Sequence, residues 1–401
     1  MSLNRGPSNR GPTLRIVPEP MRIDAIELRI IALPMVTPFV AAHGTTSTRT
    51  AVLTRVLGPD GEGWGDCAAL PEPTYTDEYV DGAFAALHDD LGPRLLAAGS
   101  SGVTATGVRD LFAADIDQPM ARAALELAVL DADCTATGVD LAHRFSAGAR
   151  SSVPAGVAIG LLGSSEATAI EATARVAEGY QRIKLKIEPG RDLEVVRAVR
   201  DAIGTGIDLV VDANGAYTLE DSAHLAGLDE FGLTCIEQPL AISTPDDPGG
   251  LDAHRALATR IATPICLDES LTSITRTEQA LSMGACSVVC VKAPRYGSWL
   301  DAVEVLELCH RNRVGAWVGG MLDTGIGRLA NIALAAHPGA TATGDISATD
   351  RFFTTDICSP VTIDGGPGAG TIAVPTTAGF LGALDHASLV DHTIRLATIR
   401  L

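Results

Sequence analysis

The sequence lacks a CxxC pair, a long apolar run and an apolar stretch near its start, although it contains eight cysteines. Without a run of 18 apolar residues, no segment is predicted to span a membrane. Residues 1–20 are rich in Arg, Pro and Gly, which predicts a disordered leader and excludes a secretion signal. Cys235, Cys266 and Cys290 lie inside apolar runs. These patterns favour buried, reduced thiols in a cytoplasmic protein over disulfides or a zinc site.

Basic residues are in the minority, with 30 Lys and Arg against 49 Asp and Glu, and the net charge is −19. Such a surface repels phosphate backbones and anionic lipids, which argues against nucleic acid and membranes as partners. A small carboxylate remains acceptable as a substrate, because a bound metal ion can reverse the local field. With 46% hydrophobic and 20% charged residues, the composition is typical of a globular protein with a large core.

The length of 401 residues allows one β/α barrel of about 250 residues and a second, smaller domain. From residue 153 onward, short apolar runs alternate with amphipathic helical stretches. They predict seven strand–helix units, with 340–347 as a candidate eighth strand. The predicted fold class is α/β, a modified (β/α)8 TIM-type barrel with an N-terminal α+β capping domain. The predicted divisions are a leader at 1–20, the capping domain at 21–150, the barrel at 151–358, and a segment at 359–401 that packs back on the capping domain.

The capping domain combines strand and helix patterns. Residues 21–57 alternate apolar and polar side chains, which predicts an antiparallel hairpin or meander. The segment 38–49 inside it is small and polar and contains glycine, so we expect a loop there. Residues 77–97 and 119–137 have helical periodicity, and Pro119 suits the first position of a helix.

Five charged residues recur at the ends of successive apolar runs in the barrel region. Their spacings are 26, 25, 31 and 24 residues, and they are Lys186, Asp212, Glu237, Asp268 and Lys292. Each spacing matches one strand, one helix and two short connections. The pattern therefore places three carboxylates and two amines at the C-terminal ends of parallel strands, where a β/α barrel builds its active site.

Three carboxylates that converge at one end of a barrel repel one another unless a cation lies between them. Asp212, Glu237 and Asp268 have no His or Cys beside them at these strand ends, and oxygen ligands alone favour Mg²⁺ over zinc. We expect Mn²⁺ to substitute for Mg²⁺. Asn214 shares a strand face with Asp212, so it either orients a ligand or contacts substrate. A role as a turn residue is equally compatible with its ANGAY context.

Two of the lysines alternate along one strand. Lys184 and Lys186 share a face and point inward, and Lys292 lies four strands away around the ring. Burial, a second ammonium and a metal ion would each lower a lysine pKa towards neutrality, as a general base requires. The alternative is that the lysines are structural counter-ions for the three acids.

This arrangement suits removal of a proton from the carbon beside a carboxylate. That proton is very weakly acidic, and the enediolate that remains needs nearby positive charge. One lysine would take the proton, and a second lysine on the opposite face would allow its return with inversion of the centre.

The residues resemble the enolase superfamily, muconate-lactonizing subgroup, and within it the o-succinylbenzoate synthase / N-acylamino acid racemase family. The resemblance rests on the lysine pair and on the acids in DAN, IEQP and LDES, and it extends from about residue 21 to the C-terminus. Its more specific motifs are KIEPG from Lys186, GGMLDTGIGRLANIALA at 319–335, GDISATDRFFTTDI at 344–357 and GWGDCAALPEPTYTDEYVDGA at 63–83.

The resemblance implies a role for each residue. Asp212, Glu237 and Asp268 would bind Mg²⁺, Lys186 and Lys292 would be the acid/base pair, and Lys184 would tune Lys186. In dehydration of the menaquinone precursor, Lys186 would perform both proton transfers while the Lys292 ammonium stabilises the enediolate. In N-acylamino acid racemisation the two lysines would alternate. Barrel relatives commonly assemble, so a homo-oligomer is expected.

The resemblance also implies substrate contacts. Arg295 in KAPR matches a KxxR arrangement of members with racemase activity, which favours an enzyme with both activities; a surface arginine is the alternative. Two positions depart from the family pattern: Asp323 replaces the usual Glu, and His43 stands where Phe is expected. His43 is either a solvated loop residue or a contact for the acyl end of the substrate. The expected substrate-binding residues are Asn214, Asp323, Met321, Gly320, Arg295, His43 and Phe39.

Four alternatives remain. A dipeptide epimerase would carry Asp-x-Asp at the last strand, where this chain has Asp345-Ile346-Ser347. A mandelate-racemase-type enzyme would use a His–Asp pair in place of Lys292, and a muconate cycloisomerase would lack the GGMLxTGIGR likeness. A non-catalytic, metal-stabilised barrel is the alternative of another class, but it has no need for two inward lysines.

Overall fold

The computed structural model describes residues 20–41, 44–242, 247 and 250–400. Its first sheet has four antiparallel strands in the order β13-β1-β2-β3. Alternating apolar residues put one face of these strands in the core, and Gly58 to Gly61 form the turn between the second and third strands. The strands are β1 (Ala25–Ala41), β2 (Gly44–Gly58), β3 (Gly61–Cys67) and β13 (Thr393–Arg400).

The prediction of a loop at 38–49 is wrong for the described residues of that segment. β1 and β2 continue through it, and Phe39 pairs with Thr46 after a register shift that follows Pro34. Its threonines are β-branched and favour a strand, so the small, polar composition was a poor guide. His43 lies outside the described residues, and Phe39 is described only by its backbone pairing.

Among the described residues, five α-helices complete the capping part, and the longest occupies the predicted range 119–137. Gly63 and Gly65 of β3 let this helix approach closely, since a Cβ at either would lie 2.0 Å from a helix carbonyl oxygen. The predicted helix 77–97 is two helices joined by a π-helical turn at Leu87–Leu91. The helices are α1 (Val80–Ala86), α2 (Gly92–Gly99), α3 (Ala105–Leu111), α4 (Pro119–Thr137) and α5 (Leu141–Phe145).

Seven parallel strands form the barrel sheet in sequence order, from β5 to β11. Most are short apolar runs, as expected for strands that are covered on both faces, whereas β6 alternates basic and apolar residues. They are β5 (Gly156–Ile159), β6 (Arg182–Lys186), β7 (Asp208–Asp212), β8 (Cys235–Glu237), β9 (Ile265–Leu267), β10 (Val288–Val291) and β11 (Gly315–Val318). A separate antiparallel pair joins β4 (Ser152–Pro154) to β12 (Thr371–Ala373).

The barrel helices alternate with these strands, and several begin with a serine N-cap, such as Ser164 and Ser273. They are α6 (Ser165–Ala177), α7 (Asp192–Ile203), α8 (Ser222–Leu225), α9 (Leu251–Ala258), α10 (Ile274–Met283), α11 (Ala293–Tyr296), α12 (Trp299–Asn312) and α13 (Gly325–Ala335). A further helix, α14 (His386–His392), precedes β13 and contacts β1 of the first sheet. Among the described residues, no helix is both long and apolar enough to cross a membrane.

The candidate eighth strand at 340–347 is not a regular strand, so that prediction needs correction. The segment nevertheless lies between the first and last barrel strands. Ala342 N donates to Ala316 O and Asp345 N to Val318 O, both at 3.0 Å, while Gly156 N donates to Ile346 O at 3.0 Å. This irregular segment therefore links β11 to β5 and completes the ring.

The interior of the barrel is filled by a small cluster of side chains. Its buried members are Val210, Cys235, Cys266, Cys290 and Trp317. All eight cysteines are buried and free, as expected from their apolar surroundings. The cluster forms a floor beneath the C-terminal ends of the strands.

Candidate active site

The five recurring residues meet at the C-terminal ends of neighbouring barrel strands. Lys186 pairs in register with Asp212, and Asp212 pairs with Glu237. Asp268 directly follows β9, and Lys292 directly follows β10. The structure therefore brings together the residues whose spacing suggested a common site.

The chain contains three lysines in total, and all of them line one cavity. They are Lys184, Lys186 and Lys292, and Lys184 and Lys292 are buried. Lysine is among the residues least often buried, and it is usually placed on surfaces. The placement of all three lysines in one cavity indicates that they take part in its chemistry or balance the charge of its carboxylates.

The two lysines of β6 contact different carboxylates. Lys186 Nζ donates to Asp212 Oδ2 at 2.7 Å and to Asn214 Oδ1 at 2.6 Å. Lys184 Nζ donates to Glu237 Oε2 at 3.0 Å and to Asp345 Oδ2 at 2.5 Å. Lys186 is thus oriented by an amide as well as a carboxylate, and Lys184 lies between acids deeper in the barrel.

On the other side of the cavity, Asp268 is surrounded by cations. Lys292 Nζ donates to its Oδ2 at 2.7 Å, and Arg295 Nη1 donates to its Oδ1. Tyr75, from the capping part, accepts from Lys292 at 3.0 Å and from Arg295 at 2.6 Å. The interpretation of Arg295 as a surface arginine is wrong, because its side chain is 6% exposed and ion-paired.

The pKa values of Lys184 and Lys292 are raised, although burial by itself lowers them. Burial lowers the pKa of Lys292, but Asp268 and Tyr75 outweigh it and hold that pKa well above its ordinary value. Burial likewise lowers the pKa of Lys184, and Asp345 and Glu237 outweigh it. The protein's own carboxylates therefore keep both ammonium groups charged, a consequence that spacing alone did not reveal.

Asn214 connects Lys186 to a second carboxylate. Its Nδ2 donates to Glu269 Oε1 at 2.8 Å, while its Oδ1 accepts from Lys186. The backbone of Asn214 is left-handed, with φ 44°, as its place after a strand end in a turn suggests. Asn214 therefore lies in a turn, as its ANGAY context predicts, and its side chain contacts Lys186 and Glu269; its role towards a ligand stays a prediction.

The loop that follows β11 forms another part of the cavity wall. Gly320, Met321 and Asp323 line the cavity, whose volume is about 100 Å³. Asp323 Oδ2 accepts from Met321 N at 3.1 Å and from Asn331 Nδ2 at 3.0 Å. The carboxylate of Asp323 therefore closes its own loop and is held by hydrogen bonds within the wall.

Two residues of the capping part fix this loop. Arg49, which is fully buried, donates from Nε to Leu322 O at 3.0 Å. Leu322 has φ 56°, a left-handed conformation that costs an L-residue about 1–2 kcal/mol. Asp66 Oδ2 accepts from Thr324 N at 3.1 Å and from its Oγ1 at 2.8 Å. Contacts from the cap hold both sides of Asp323.

Comparison with known proteins gives the family. Residues 167–387 match the family described as enolase C-terminal domain-like, and residues 25–143 match the mandelate racemase / muconate lactonizing enzyme N-terminal domain. The chain belongs to the enolase superfamily. Within it, the relatives place the chain in the o-succinylbenzoate synthase / N-acylamino acid racemase family.

Three relatives illustrate how close this family member is to known proteins. An N-succinylamino acid racemase from Amycolatopsis is 44% identical over 92% of this chain and 97% of the relative. An o-succinylbenzoate synthase from Bacillus subtilis is 36% identical over 86% of this chain and 91% of the relative. The crystal structure of an enolase superfamily member from Listeria innocua has a TM-score of 0.86 at 33% identity, covering 95% and 99% of the two chains. This chain is accordingly an enzyme of the family.

Enzymes of the enolase superfamily use a divalent metal ion, and the carboxylates of this site fit one. Glu237 is fully buried, and its Oε1 has no hydrogen-bond partner among the described residues. Burial and the neighbouring Asp212 raise the pKa of Glu237 to about 8. A hard cation would provide the partner for this oxygen and relieve the repulsion between the acids.

A geometric group of possible ligands in the described part of the chain differs from the predicted one. Glu237, Asp268 and Cys290 have ligand atoms that all lie within 4.8 Å of one another. Asp212 is drawn towards Lys186 and Lys184, at 2.7 and 3.6 Å from its Oδ2. For a hard ion the oxygen donors remain the better set, because a thiol is a soft ligand.

Sequence reasoning missed several residues of this enolase-type site. Tyr75 comes from a loop of the cap, and nothing in its local sequence shows that it reaches the barrel. Arg182 and Asp345 form a buried ion pair beside Lys184. The signal that was available for this pair is the period of two in β6, because Arg182, Lys184 and Lys186 alternate on one face.

Proposed function

We propose that this enzyme removes a proton alpha to a carboxylate and passes through an enediolate, as an o-succinylbenzoate synthase, an N-acylamino acid racemase, or both. The observation that carries the proposal is the placement of Lys186 and Lys292 in one cavity, with Asp212 bonded to Lys186 and Asp268 bonded to Lys292. The likeness to enzymes of both names, at 36–44% identity, supports the same reaction class.

The metal ion we propose is Mg²⁺, with Mn²⁺ as a substitute, held by Asp212, Glu237 and Asp268. When bound, Mg²⁺ supplies Lewis-acid stabilisation of the negative charge that develops on the carboxylate oxygens of a substrate. The choice of Mg²⁺ rests on the donors, which are carboxylates at the strand ends.

The chain's own residues then perform the proton transfers. Lys186 Nζ takes the alpha proton, and Asn214 orients that nitrogen through its 2.6 Å hydrogen bond. Lys184 keeps a positive charge beside Lys186 and holds Glu237 in place. Lys292 faces the enediolate with an ammonium group that Tyr75 and Asp268 position. A base of this kind typically contributes about 10²–10⁴-fold to the rate.

The two reactions differ in what Lys292 does. In dehydration, Lys186 performs both transfers, and Lys292 acts through its charge. In racemisation of an N-acylamino acid, the two lysines alternate as base and acid on opposite faces. Arg295 shares Asp268 with Lys292 and thereby competes for the carboxylate that holds the ammonium. The positive charge of Arg295 lowers the pKa of Lys292 against the larger effects of Asp268 and Tyr75, and this is the feature of the site that supports racemisation alongside dehydration.

We further propose a small-molecule carboxylate as substrate, the cytoplasm as the compartment and a homo-oligomer as the assembly. The dehydration would belong to menaquinone biosynthesis and the racemisation to amino-acid metabolism. Gly320, Met321 and Asp323 would contact the substrate from the wall of the cavity, with Phe39 and His43 contributing from the cap.

A dipeptide epimerase is disfavoured by the state of Asp345. Its Oδ1 is bonded to Arg182 and its Oδ2 to Lys184, so both oxygens already have a cationic partner. A substrate ammonium would have to displace one of these buried cations. The third position of that stretch is Ser347, which carries no charge.

The test is a substrate panel in heavy water, with alpha-proton exchange followed by NMR. The panel contains the cyclohexadiene precursor of o-succinylbenzoate, N-succinyl and N-acetyl amino acids, and dipeptides. We expect dehydration of the precursor and exchange into N-succinylamino acids, with no exchange into dipeptides. Exchange confined to dipeptides would replace the proposal, and a folded protein with no exchange into any compound would contradict it.

A further inference from the structure

The inward face of β10 carries a cysteine directly below the site. Cys290 precedes Lys292 by two residues, so both side chains point into the barrel. Cys290 is 1% exposed and belongs to the cluster that fills the barrel interior. Gly319 makes room for it, since a Cβ there would lie 2.7 Å from the sulfur. The thiol thus borders the proposed metal ligands from beneath.

The position of the sulfur relative to two carboxylates is compatible with a shared cation. The Cys290 sulfur and one oxygen each of Glu237 and Asp268 all lie within 4.8 Å of one another. Metal–sulfur and metal–oxygen bonds of about 2.3 and 2.1 Å span up to about 4.4 Å between two donors on either side of one ion. Small side-chain movements therefore suffice to bring all three atoms onto one centre.

A second observation points to a ligand at this place. Glu237 is fully buried, and its Oε1 has no hydrogen-bond partner among the described residues. An unpaired buried carboxylate oxygen is costly, and a cation satisfies it. A hard ion such as Mg²⁺ would use the oxygens and leave the thiol unused, whereas a soft ion prefers the sulfur.

We propose that Cys290 gives this centre a second mode of cation binding, in which a thiophilic divalent ion such as Cd²⁺ or Zn²⁺ is held by the Cys290 sulfur with carboxylate oxygens of Glu237 and Asp268. The S–H bond breaks as the metal–sulfur bond forms, the proton passes to solvent, and no electron is transferred. The inference goes beyond the proposed function, because it requires no substrate and no turnover.

The two modes exclude each other. Glu237 and Asp268 belong to both, so one ion occupies these oxygens at a time. A thiophilic ion consequently competes with Mg²⁺ and blocks the site by lying deeper, towards the sulfur. The partner that this inference names is a soft metal ion acting as an inhibitor.

The test is a titration of chelator-treated full-length protein with CdCl₂, followed by the ultraviolet charge-transfer absorption of a cadmium–thiolate bond. We expect one equivalent of Cd²⁺ to produce the band and an excess of Mg²⁺ to weaken it. In Cys290→Ser the band disappears. The affinity for Cd²⁺ falls by at least about tenfold, because loss of a residue that only hydrogen-bonds to a metal ligand already lowers metal affinity by about that much. Cys309→Ser is the matched control, a buried thiol on α12 whose loss leaves the band unchanged.

A band that persists in folded Cys290→Ser, or the absence of a band in the wild type, overturns the proposal. Circular dichroism shows whether the variant folds, and Cys290→Ala serves as a second variant. If neither folds, the ¹¹³Cd NMR shift of the wild-type complex decides, because it reports how many sulfurs bind the ion. A shift for one sulfur supports the proposal, and a shift for several sulfurs assigns the ion to the cysteine cluster and overturns it.

Discussion

Buried carboxylates occur in two regions of this molecule, and the two regions satisfy them differently. At the mouth of the barrel, Asp268 is paired with Arg295 and Lys292, which outweigh burial and lower its pKa. At the interface of the cap with the barrel, Glu126 accepts hydrogen bonds from Ser298 Oγ and Trp299 N, and burial raises its pKa to about 8. The difference lies in the partner, because a full charge compensates an ion better than neutral donors do.

The same pattern recurs at two further acids of the cap. Glu78 accepts from Met120 N and Ala121 N at the start of α4, and its pKa is raised to about 7. Asp131 accepts from backbone N–H groups, and its pKa is also raised to about 7. These acids anchor α4 by hydrogen bonding. Glu237 of the barrel differs from them, because Lys184 contacts its Oε2, yet burial and Asp212 still raise its pKa to about 8. Its Oε1 has no hydrogen-bond partner among the described residues, and a cation would provide one.

The largest effect is expected from the lysines that define the barrel region. Lys186→Ala should lower both dehydration and racemisation by about 10²–10⁴-fold, because no other base replaces it. Lys292→Arg keeps the positive charge but cannot accept a proton, so it should spare some dehydration and stop racemisation. Both rates are measured for each variant, with circular dichroism as the control for folding. Equal residual rates of the two reactions in Lys292→Arg would refute the separate roles.

The second effect concerns the metal ion and uses a matched pair of substitutions. Chelator should abolish activity and Mg²⁺ or Mn²⁺ should restore it. Mg²⁺ at about 100 times its Kd should stabilise the folded wild type by about 2.7 kcal/mol. Glu237→Gln should lose this stabilisation, whereas Glu126→Gln, the same change at a buried acid of the cap, should retain it. Thermal melting with and without Mg²⁺ measures both. Full activity in chelator, or equal losses in the two variants, would contradict the assignment.

The third effect is a dependence of stability on pH that arises in the cap. The pKa of Glu126 rises from an ordinary 4.5 to about 8 on folding, so the folded state keeps a proton that the unfolded state releases. Its contribution to the free energy of unfolding therefore falls as pH rises from about 4.5 to 8, by up to about 1.4 kcal/mol per pH unit. Glu126→Gln should flatten this part of the profile, measured by urea unfolding at pH 5, 6.5 and 8. Parallel profiles for variant and wild type would show that Glu126 does not titrate in this range.

The smallest effect on the pH dependence of stability is expected at Asp66, which has a cationic partner, Arg49, and a neutral hydrogen-bond donor, Thr324. Burial raises its pKa to about 6, and Arg49 and Thr324 limit the rise. Asp66→Asn should therefore change the pH profile only up to about pH 6, a narrower window than that of Glu126. Urea unfolding over the same pH series measures it. An effect of Asp66→Asn on stability that extends to pH 8 would show that Arg49 does not limit the pKa of Asp66, as in the cap acids that have only neutral hydrogen-bond donors.

The sequence was most informative where spacing and chemistry coincide. The regular spacing of the five charged residues from Lys186 to Lys292 predicts that each lies at the end of a barrel strand. In a barrel the ends of neighbouring strands are close together, so regular spacing along the chain predicts a common site. The segment 38–49 was wrongly predicted as a loop, because its small, polar composition was given more weight than the β-propensity of its threonines. The segment 340–347 was wrongly predicted as a strand, because it completes the ring with backbone hydrogen bonds but without regular strand geometry. The full rise in the pKa values of Lys184 and Lys292 could not be foreseen, because Asp345 and Tyr75 contribute to it and reach these lysines only through tertiary contacts. The low number of lysines was a further signal in the sequence, because the three that occur, Lys184, Lys186 and Lys292, are all residues of the candidate site.

The pairing of β1 with β13 connects Ala25 to Arg400, so the whole barrel is an insertion between two neighbouring strands of the cap sheet. Closing a loop of that length carries an entropic cost that only a folded barrel reduces, by bringing its two ends together. An isolated fragment of residues 21–150 would contain β1, β2 and β3 but not β13, so β1 would become an open edge of the sheet. An open edge can pair with strands of other chains. The cap and the barrel are therefore expected to unfold as one cooperative body.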